Sequence, residues 1–191
     1  MLKLNIVVAS TRPGRVGLPV ARWFHERAQA HGKFEIAFVD LKEVALPFLD
    51  EPHHPRLRKY QNAHTHAWSA SVASADAFVI VTPEYNFGMP PALLNAIDFV
   101  YREWNYKPAA FVNYGGVSGG TRSAQMAKLS LTAVKVMPIP EQVTIPFVAQ
   151  HLDKETGAFQ GTEAQAKAAA EMLDELHRWA EALRPLRAPA S

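Results

Sequence analysis

The sequence predicts an α/β fold: a doubly wound, five-stranded parallel sheet with strand order 2-1-3-4-5 and helices on both faces. Three observations predict it. Short, nearly continuous apolar runs such as "KLNIVVA" and "AFVIV" suit strands covered on both faces. Each run is followed by a segment whose apolar residues recur at helical spacing, and parallel strands need crossovers of that kind. The runs also end in unusual loops, and in an open α/β sheet such loops gather beyond the carboxyl ends of the strands.

The elements follow in order. "KLNIVVA" (Lys3 to Ala9) is the first strand, and Val16, Val20, Trp23 and Phe24 then mark one face of a helix. "FEIAFVDL" (Phe34 to Leu41) alternates Phe34, Ile36 and Phe38 with smaller or charged residues and reads as the second strand. "LPFLDEPHHP" is a loop, and a polar helix is expected from Arg56 to Ala73. "AFVIV" (Ala77 to Val81) is the third strand. The double proline Pro90-Pro91 opens a helix with Leu93, Leu94 and Ile97 inside, because proline is tolerated in a first turn.

The second half repeats the alternation. "PAAFVNY" (Pro108 to Tyr114) is the fourth strand, "GGVSGG" a glycine turn, and Thr121 to Val136 a helix. A fifth strand is placed within Met137 to Thr144, among prolines. The last helix is expected from Glu163 to Leu183, with Thr162 and Gln165 forming a capping box and Met172, Leu176, Trp179 and Leu183 as its apolar stripe. "RPLRAPAS" after it is expected to fray. No linker or repeat divides the chain, so residues 1–185 read as a single domain with 186–191 as a frayed tail.

Composition narrows the function. The 191 residues carry a formal net charge of +2, too small to argue for a nucleic-acid or membrane partner. There is no cysteine, which excludes disulfides, thiolate metal sites and cysteine nucleophiles. The apolar start is too short to span a bilayer and lacks the sequel of a signal peptide, so a cytoplasmic location is expected.

Three loops carry more chemistry than a bend requires. In "STRPGRVG", the helix that follows offers unpaired backbone amides and a positive dipole end. Ser10 and Thr11 add hydroxyls, Gly14 and Gly17 allow close approach, and Arg12 and Arg15 supply forked charges suited to phosphate. The alternative is a polar turn with two solvated arginines. In "TPEYNFGMP", Pro83 fixes the backbone, Tyr85 can cover a planar ring, Asn86 can donate and accept, and Glu84 is best placed to hold the loop. In "NYGGVSGG", Gly115, Gly116, Gly119 and Gly120 leave room for something flat beside the main chain, where an ordinary turn rarely needs four glycines.

"PEYNFGMPPALLNAIDFV" resembles the signature of the NADPH-dependent FMN reductases, flavodoxin-like enzymes that include quinone, azo-dye and chromate reductases. With "STRPGR" and "YGGVSGG", the resemblance runs from about Met1 to Val148. It implies FMN as cofactor and NADPH or NADH as donor, with electrons passing to a small acceptor such as a quinone, an azo compound or free flavin. By position, it implies that the FMN phosphate meets Ser10, Arg12, Arg15, Val16 and Gly17. It also implies that Pro83, Glu84, Tyr85 and Asn86 lie along the ribityl chain and ring, with Gly115, Gly116 and Ser118 approaching from the next loop. Many relatives have Gly where this chain has Ala9 and Lys where it has Leu94. Relatives are commonly dimers, which makes a homodimer, possibly a tetramer, the expected assembly. Trp104 and Tyr106 then either line a pocket from the partner or simply pack. An FMN electron carrier is the alternative, although such carriers are usually acidic and bind phosphate through a Thr- and Gly-rich loop.

The remaining motifs carry less. His64 and His66 are two apart and do not share a helix face, which argues against a metal pair. Asp98 reads as a surface or pairing carboxylate, and no Ser has the spacing of a nucleophile elbow.

Overall fold

The computed structural model describes residues 1–187. In chain order these form β1 (Leu2–Val8), α1 (Gly17–His31), β2 (Phe34–Asp40), α2 (Leu41–Val44), α3 (Ala63–Ser74), β3 (Ala77–Pro83), α4 (Pro91–Asp98), β4 (Pro108–Tyr114), α5 (Thr121–Ala133), β5 (Met137–Ile145) and α6 (Glu163–Leu183). The strands make one parallel sheet in the order β2-β1-β3-β4-β5, the predicted flavodoxin-like winding.

Successive strand side chains point to opposite faces, so each inner strand feeds two cores. Leu4, Ile6, Val8, Val79, Val81 and Val112 join α1 and α6 on one side. Val7, Phe78, Ile80 and Phe111 join α3, α4 and α5 on the other. Full burial of β3 and β4 explains why those runs read as uniformly apolar. Trp104 belongs to the second core, against Trp68 and Phe78, and its indole N–H donates to the Ile97 carbonyl at 3.2 Å. Of the two readings for Trp104, packing is the one the structure shows.

α6 has the expected bounds, and Thr162 and Gln165 make both hydrogen bonds of the capping box. Other elements depart from expectation. The helix expected from Arg56 begins at Ala63: Pro55–Leu57 is a 3-10 turn ended by Arg58 at φ 53°. The Glu51 carboxylate then accepts from the N–H groups of Gln61 and Asn62, a long-range contact that holds this stretch out of the helix. α5 stops at Ala133, three residues early, because Lys135 takes a left-handed φ of 60°. β5 accommodates Pro138 and Pro140 because it is an edge strand, and its register against β4 shifts between Ala109 and Phe111. Where fraying is expected after α6, Arg184–Arg187 form a 3-10 turn and Arg187 pairs with Asp76 at 2.9 Å. The rest of the expected tail lies outside the described residues.

The turn after β4 contains two structural glycines. Gly120 has φ 82°, and a Cβ there would lie 2.6 Å from the Tyr114 nitrogen and 2.7 Å from its carbonyl oxygen. Gly119, at φ 59°, would collide with Thr144 and Pro146. Gly116 is different: a Cβ there meets nothing within 4 Å. Gly120→Ala should therefore destabilise by about 2–4 kcal/mol, whereas Gly116→Ala should stay within about 0.5 kcal/mol of the parent. Urea denaturation of the two variants measures this, and equal losses would contradict the assignment.

Candidate functional site

The parallel register brings the three loops to one rim. Val8 pairs with both Asp40 and Val81, and Val81 with Val112, so β1, β2, β3 and β4 run out at neighbouring levels. Backbone bonds continue the ladder past the strands: Ala9 donates to Val81, Glu84 to Tyr114 and Gly115 to Ile145. Each loop is thereby fixed to its neighbour before any side chain acts.

In the first loop, α1 begins with no side-chain cap and no acidic residue in its first turn. Its opening amides and dipole therefore favour an anion. Ser10 is buried, and among the described residues its hydroxyl has no hydrogen bond of full geometry, although the Tyr114 hydroxyl lies close beside it. Ser10 sits beside that helix start, because a Cβ on Gly17 would collide with Ser10 Oγ and the Tyr114 hydroxyl. Gly17 is thus the residue that lets α1 approach so closely. Arg12 is exposed and has no ion pair among the described residues.

Arg15, expected to offer a second fork to an anion, has its guanidinium engaged within the protein. Its terminal nitrogens grip both Asp40 oxygens at 2.5 Å, and one also donates to the Ser10 carbonyl. Both side chains are about nine-tenths covered, at 9% and 11% exposure. The Asp40 hydrogen bond raises the already high Arg15 pKa against the opposing effect of burial, so the pair stays ionised. Arg15 clamps the loop to the end of β2. Sequence reasoning missed Asp40, whose one local signal is its place as the last residue of a strand that ends at this rim.

In the second loop, Tyr85 and Gly88 exchange backbone hydrogen bonds of 3.0 and 2.9 Å around Asn86 (φ 49°) and Phe87 (φ 68°). Two consecutive positive φ values make this a type I′ turn, unusual for Phe, and it presents Asn86 and Phe87 to solvent. Pro83 is buried at the end of β3. Glu84 does hold the loop: its carboxylate accepts from the Arg122 backbone N–H at 3.0 Å and the Arg122 guanidinium at 2.8 Å. Arg122 also lies over the Phe87 ring, 4.4 Å from its centroid. It is a second residue the sequence reading missed, signalled by its place at a helix start just after a glycine run.

The Glu84 side chain is 7% exposed. Burial works against its charge, but the hydrogen bonds from the Arg122 side chain, Ser118 and the Arg122 backbone outweigh that and hold its pKa below the ordinary value.

The third loop completes the rim. Gly115 lies beside Glu84 and the Gly120 nitrogen, while Gly116 and Val117 are exposed. Ser118 turns inward, its carbonyl accepting from Thr121 and its hydroxyl from the Gly120 N–H. Of the four glycines expected to make room for a flat guest, Gly119 and Gly120 serve their own backbone, and Gly116 borders open space. A cavity of about 510 Å³ opens on the same rim between Thr11, Leu46, Phe48 and the first turn of α4. His64 and His66 play no part here: His64 pairs with Asp50 and His66 packs against Tyr60.

Residues 2–150 match the family of NADPH-dependent FMN reductases, and the chain belongs to that family. It is 37% identical over 147 residues to an NAD(P)H-dependent FMN reductase of Schizosaccharomyces pombe, covering 75% of this chain and 74% of that one. It is 32% identical over 174 residues to one of Saccharomyces cerevisiae, covering 78% and 91%. Among solved structures, the flavoenzyme NAD(P)H:(acceptor) oxidoreductase FerB from Paracoccus denitrificans superposes with a TM-score of 0.73 at 23% identity, covering 95% and 98%, a likeness of fold. The protein is an enzyme of the NAD(P)H:FMN oxidoreductase type, with FMN as its cofactor. The residues present fit that group: a buried hydroxyl and uncapped helix amides together can take a phosphate, and an exposed glycine adjoins an aromatic turn on the same rim.

The Glu84 geometry yields a pH prediction. A carboxyl whose native pKa is depressed stabilises the fold above its unfolded value of 4.5 and loses that contribution as pH falls through the native value. Glu84→Gln should cost about 1–2 kcal/mol near neutrality, and the gap should narrow progressively as pH falls below 4.5 and through the depressed native value. Urea denaturation at neutral pH and at a series of acidic pH values tests this; an unchanging gap would show that the charge is not what holds the loop.

Proposed function

We propose that this rim seats FMN with its phosphate at the start of α1 and its ring between the second and third loops. The observation that carries the reading is the convergence of those loops on one edge, with the buried Ser10 hydroxyl at an uncapped helix start. Ser10, Val16 and Gly17 hold the phosphate through the hydroxyl and first-turn amides, with the exposed Arg12 supplying the positive charge. Arg15 acts through the loop it clamps to Asp40. Pro83, Tyr85 and Asn86 border the ring and side chain, Gly115 and Gly116 let the ring pass close to the backbone, and Ser118 and Glu84 lock the two loops together.

The chemistry supplied by bound FMN is hydride acceptance from NAD(P)H and delivery of the electrons to a small acceptor. Held ionised, Glu84 is an acceptor of hydrogen bonds at neutral pH and not a proton donor. The apolar cavity beside Thr11, walled by Leu46, Pro47, Phe48 and Pro91, favours flat, weakly polar acceptors such as quinones, azo compounds or free flavin. A cytoplasmic homodimer belongs to the same proposal. Exposed Phe87, with the exposed Met126 beside the neighbouring Gly88, supports it, since apolar side chains grouped at a rim mark contact surfaces.

Flavin-free protein titrated with FMN and with riboflavin tests the reading. The parent should bind FMN, oxidise NAD(P)H with a quinone acceptor, and scatter light as a particle of about twice 21.1 kDa. Arg12→Ala should weaken FMN about tenfold, a loss of about 1.4 kcal/mol, and riboflavin hardly at all. Arg15→Ala should weaken both and lower stability, because it strands Asp40. Failure to bind FMN would end the proposal, and equal losses for the two flavins in Arg12→Ala would remove Arg12 from the phosphate. A monomer would remove only the dimer.

A further inference from the structure

The opposite rim, where β4 and β5 begin, carries a concavity of about 650 Å³ lined by no residue of the three loops. Lys107 immediately precedes β4, and Lys135 lies two residues before β5. Because the strands are parallel and seven residues long in β4, this rim stands about 20 Å from the three loops. The volume is in the range of small-molecule sites.

Its lining is strongly one-signed. Six cations, Arg56, Arg58, Arg102, Lys107, Lys135 and Arg187, face a single lining carboxylate, Glu103. Glu103 is already engaged by Arg58 at 3.2 Å and by the hydroxyls of Tyr60 and Ser69, and Arg187 pairs with Asp76. Among the described residues, Arg56, Arg102, Lys107 and Lys135 have no ion pair. Like charges so close repel one another within a screening length of about 10 Å, and a chain of net charge +2 has ample surface on which to spread them.

Three of the four are also held in place, which distinguishes them from solvated surface charges. Lys107 is 5% exposed and donates to the carbonyls of Val72 at 2.7 Å and Ala73 at 3.0 Å, leaving one of its three hydrogens over. Burial lowers its pKa to about 8, a cost that a nearby anion would offset. Lys135 and Tyr106 both have φ 60°, a left-handed conformation rare for such residues. They are locked together by the Tyr106 N–H donating to the Lys135 carbonyl at 2.8 Å and the Lys135 ammonium donating to the Tyr106 hydroxyl at 3.0 Å. The Arg56 guanidinium lies over the Tyr101 ring, 4.6 Å from its centroid. Backbone strain and aromatic shelves thus fix positive charge around a hollow far larger than a lone anion needs.

We propose that this concavity binds a small organic phosphate of nucleotide size, at a site separate from the flavin. A guanidinium fork and two ammonium groups suit a diphosphate, and Tyr101 and Tyr106, each with a cation over one ring face, add aromatic lining beside it for the organic part.

Calorimetric titration of the FMN-loaded enzyme with adenosine diphosphate tests this, with adenosine as the uncharged control. The diphosphate should bind, and affinity should fall steeply with salt, while adenosine should bind at least tenfold more weakly. Arg56→Gln combined with Lys135→Met should weaken the diphosphate at least tenfold and leave the rate of NAD(P)H oxidation unchanged. Arg102→Ser, at an exposed position, should weaken it in the same direction and guards against a misfolded double variant. No binding of the diphosphate, equal binding of adenosine, or affinity indifferent to all three substitutions would overturn the proposal.

Discussion

The in-register parallel ladder of β1, β3 and β4 is the constraint on which the rest of the molecule depends. Parallel pairing puts every carboxyl end on one side, and the pairing of Val8 with Val81 and of Val81 with Val112 brings those ends to one level. The bonds Ala9 to Val81, Glu84 to Tyr114 and Gly115 to Ile145 extend that order into the loops. Two apolar cores, one on each face, make the ladder costly to disturb. A site assembled from segments some hundred residues apart in sequence is therefore as rigid as the sheet beneath it.

On that rim, much of the charge serves architecture. Arg15 and Asp40 bind the first loop to β2, and Glu84 and Arg122 bind the second loop to the start of α5. Both pairs contain a well-covered carboxylate whose isolation would be expensive, so each loop is pinned by a partner in another element. What the architecture leaves over is a hydroxyl, a set of helix amides, one exposed arginine and a bare glycine. Those are the groups that a flavin with an anionic tail requires.

How much of this the sequence discloses depends on how local the cause is. α6 is legible to the residue because its cap, Thr162 with Gln165, and its apolar stripe are written within one segment. β3 and β4 are legible because burial on both faces leaves an unbroken apolar run. The start of α3 is not, because Glu51 fixes it from outside. Nor is the early end of α5, which depends on Lys135 meeting Tyr106. The same divide runs through the site. The loops that make it are visible as oddities of composition, but Arg15 looks like a phosphate ligand until Asp40 is placed beside it. The division of four glycines into two structural ones and two at the rim needs the position of Tyr114. The basic hollow on the far rim draws on residues from Arg56 to Arg187 and has no sequence signature.

The most direct measurement of the central claim is a crystal structure of the enzyme with FMN bound. The account predicts phosphate oxygens within hydrogen-bond reach of Ser10 Oγ and the first-turn amides of α1, with the ring beside Tyr85 and Gly116. A phosphate anywhere else, or a ring lying away from the second and third loops, would contradict it.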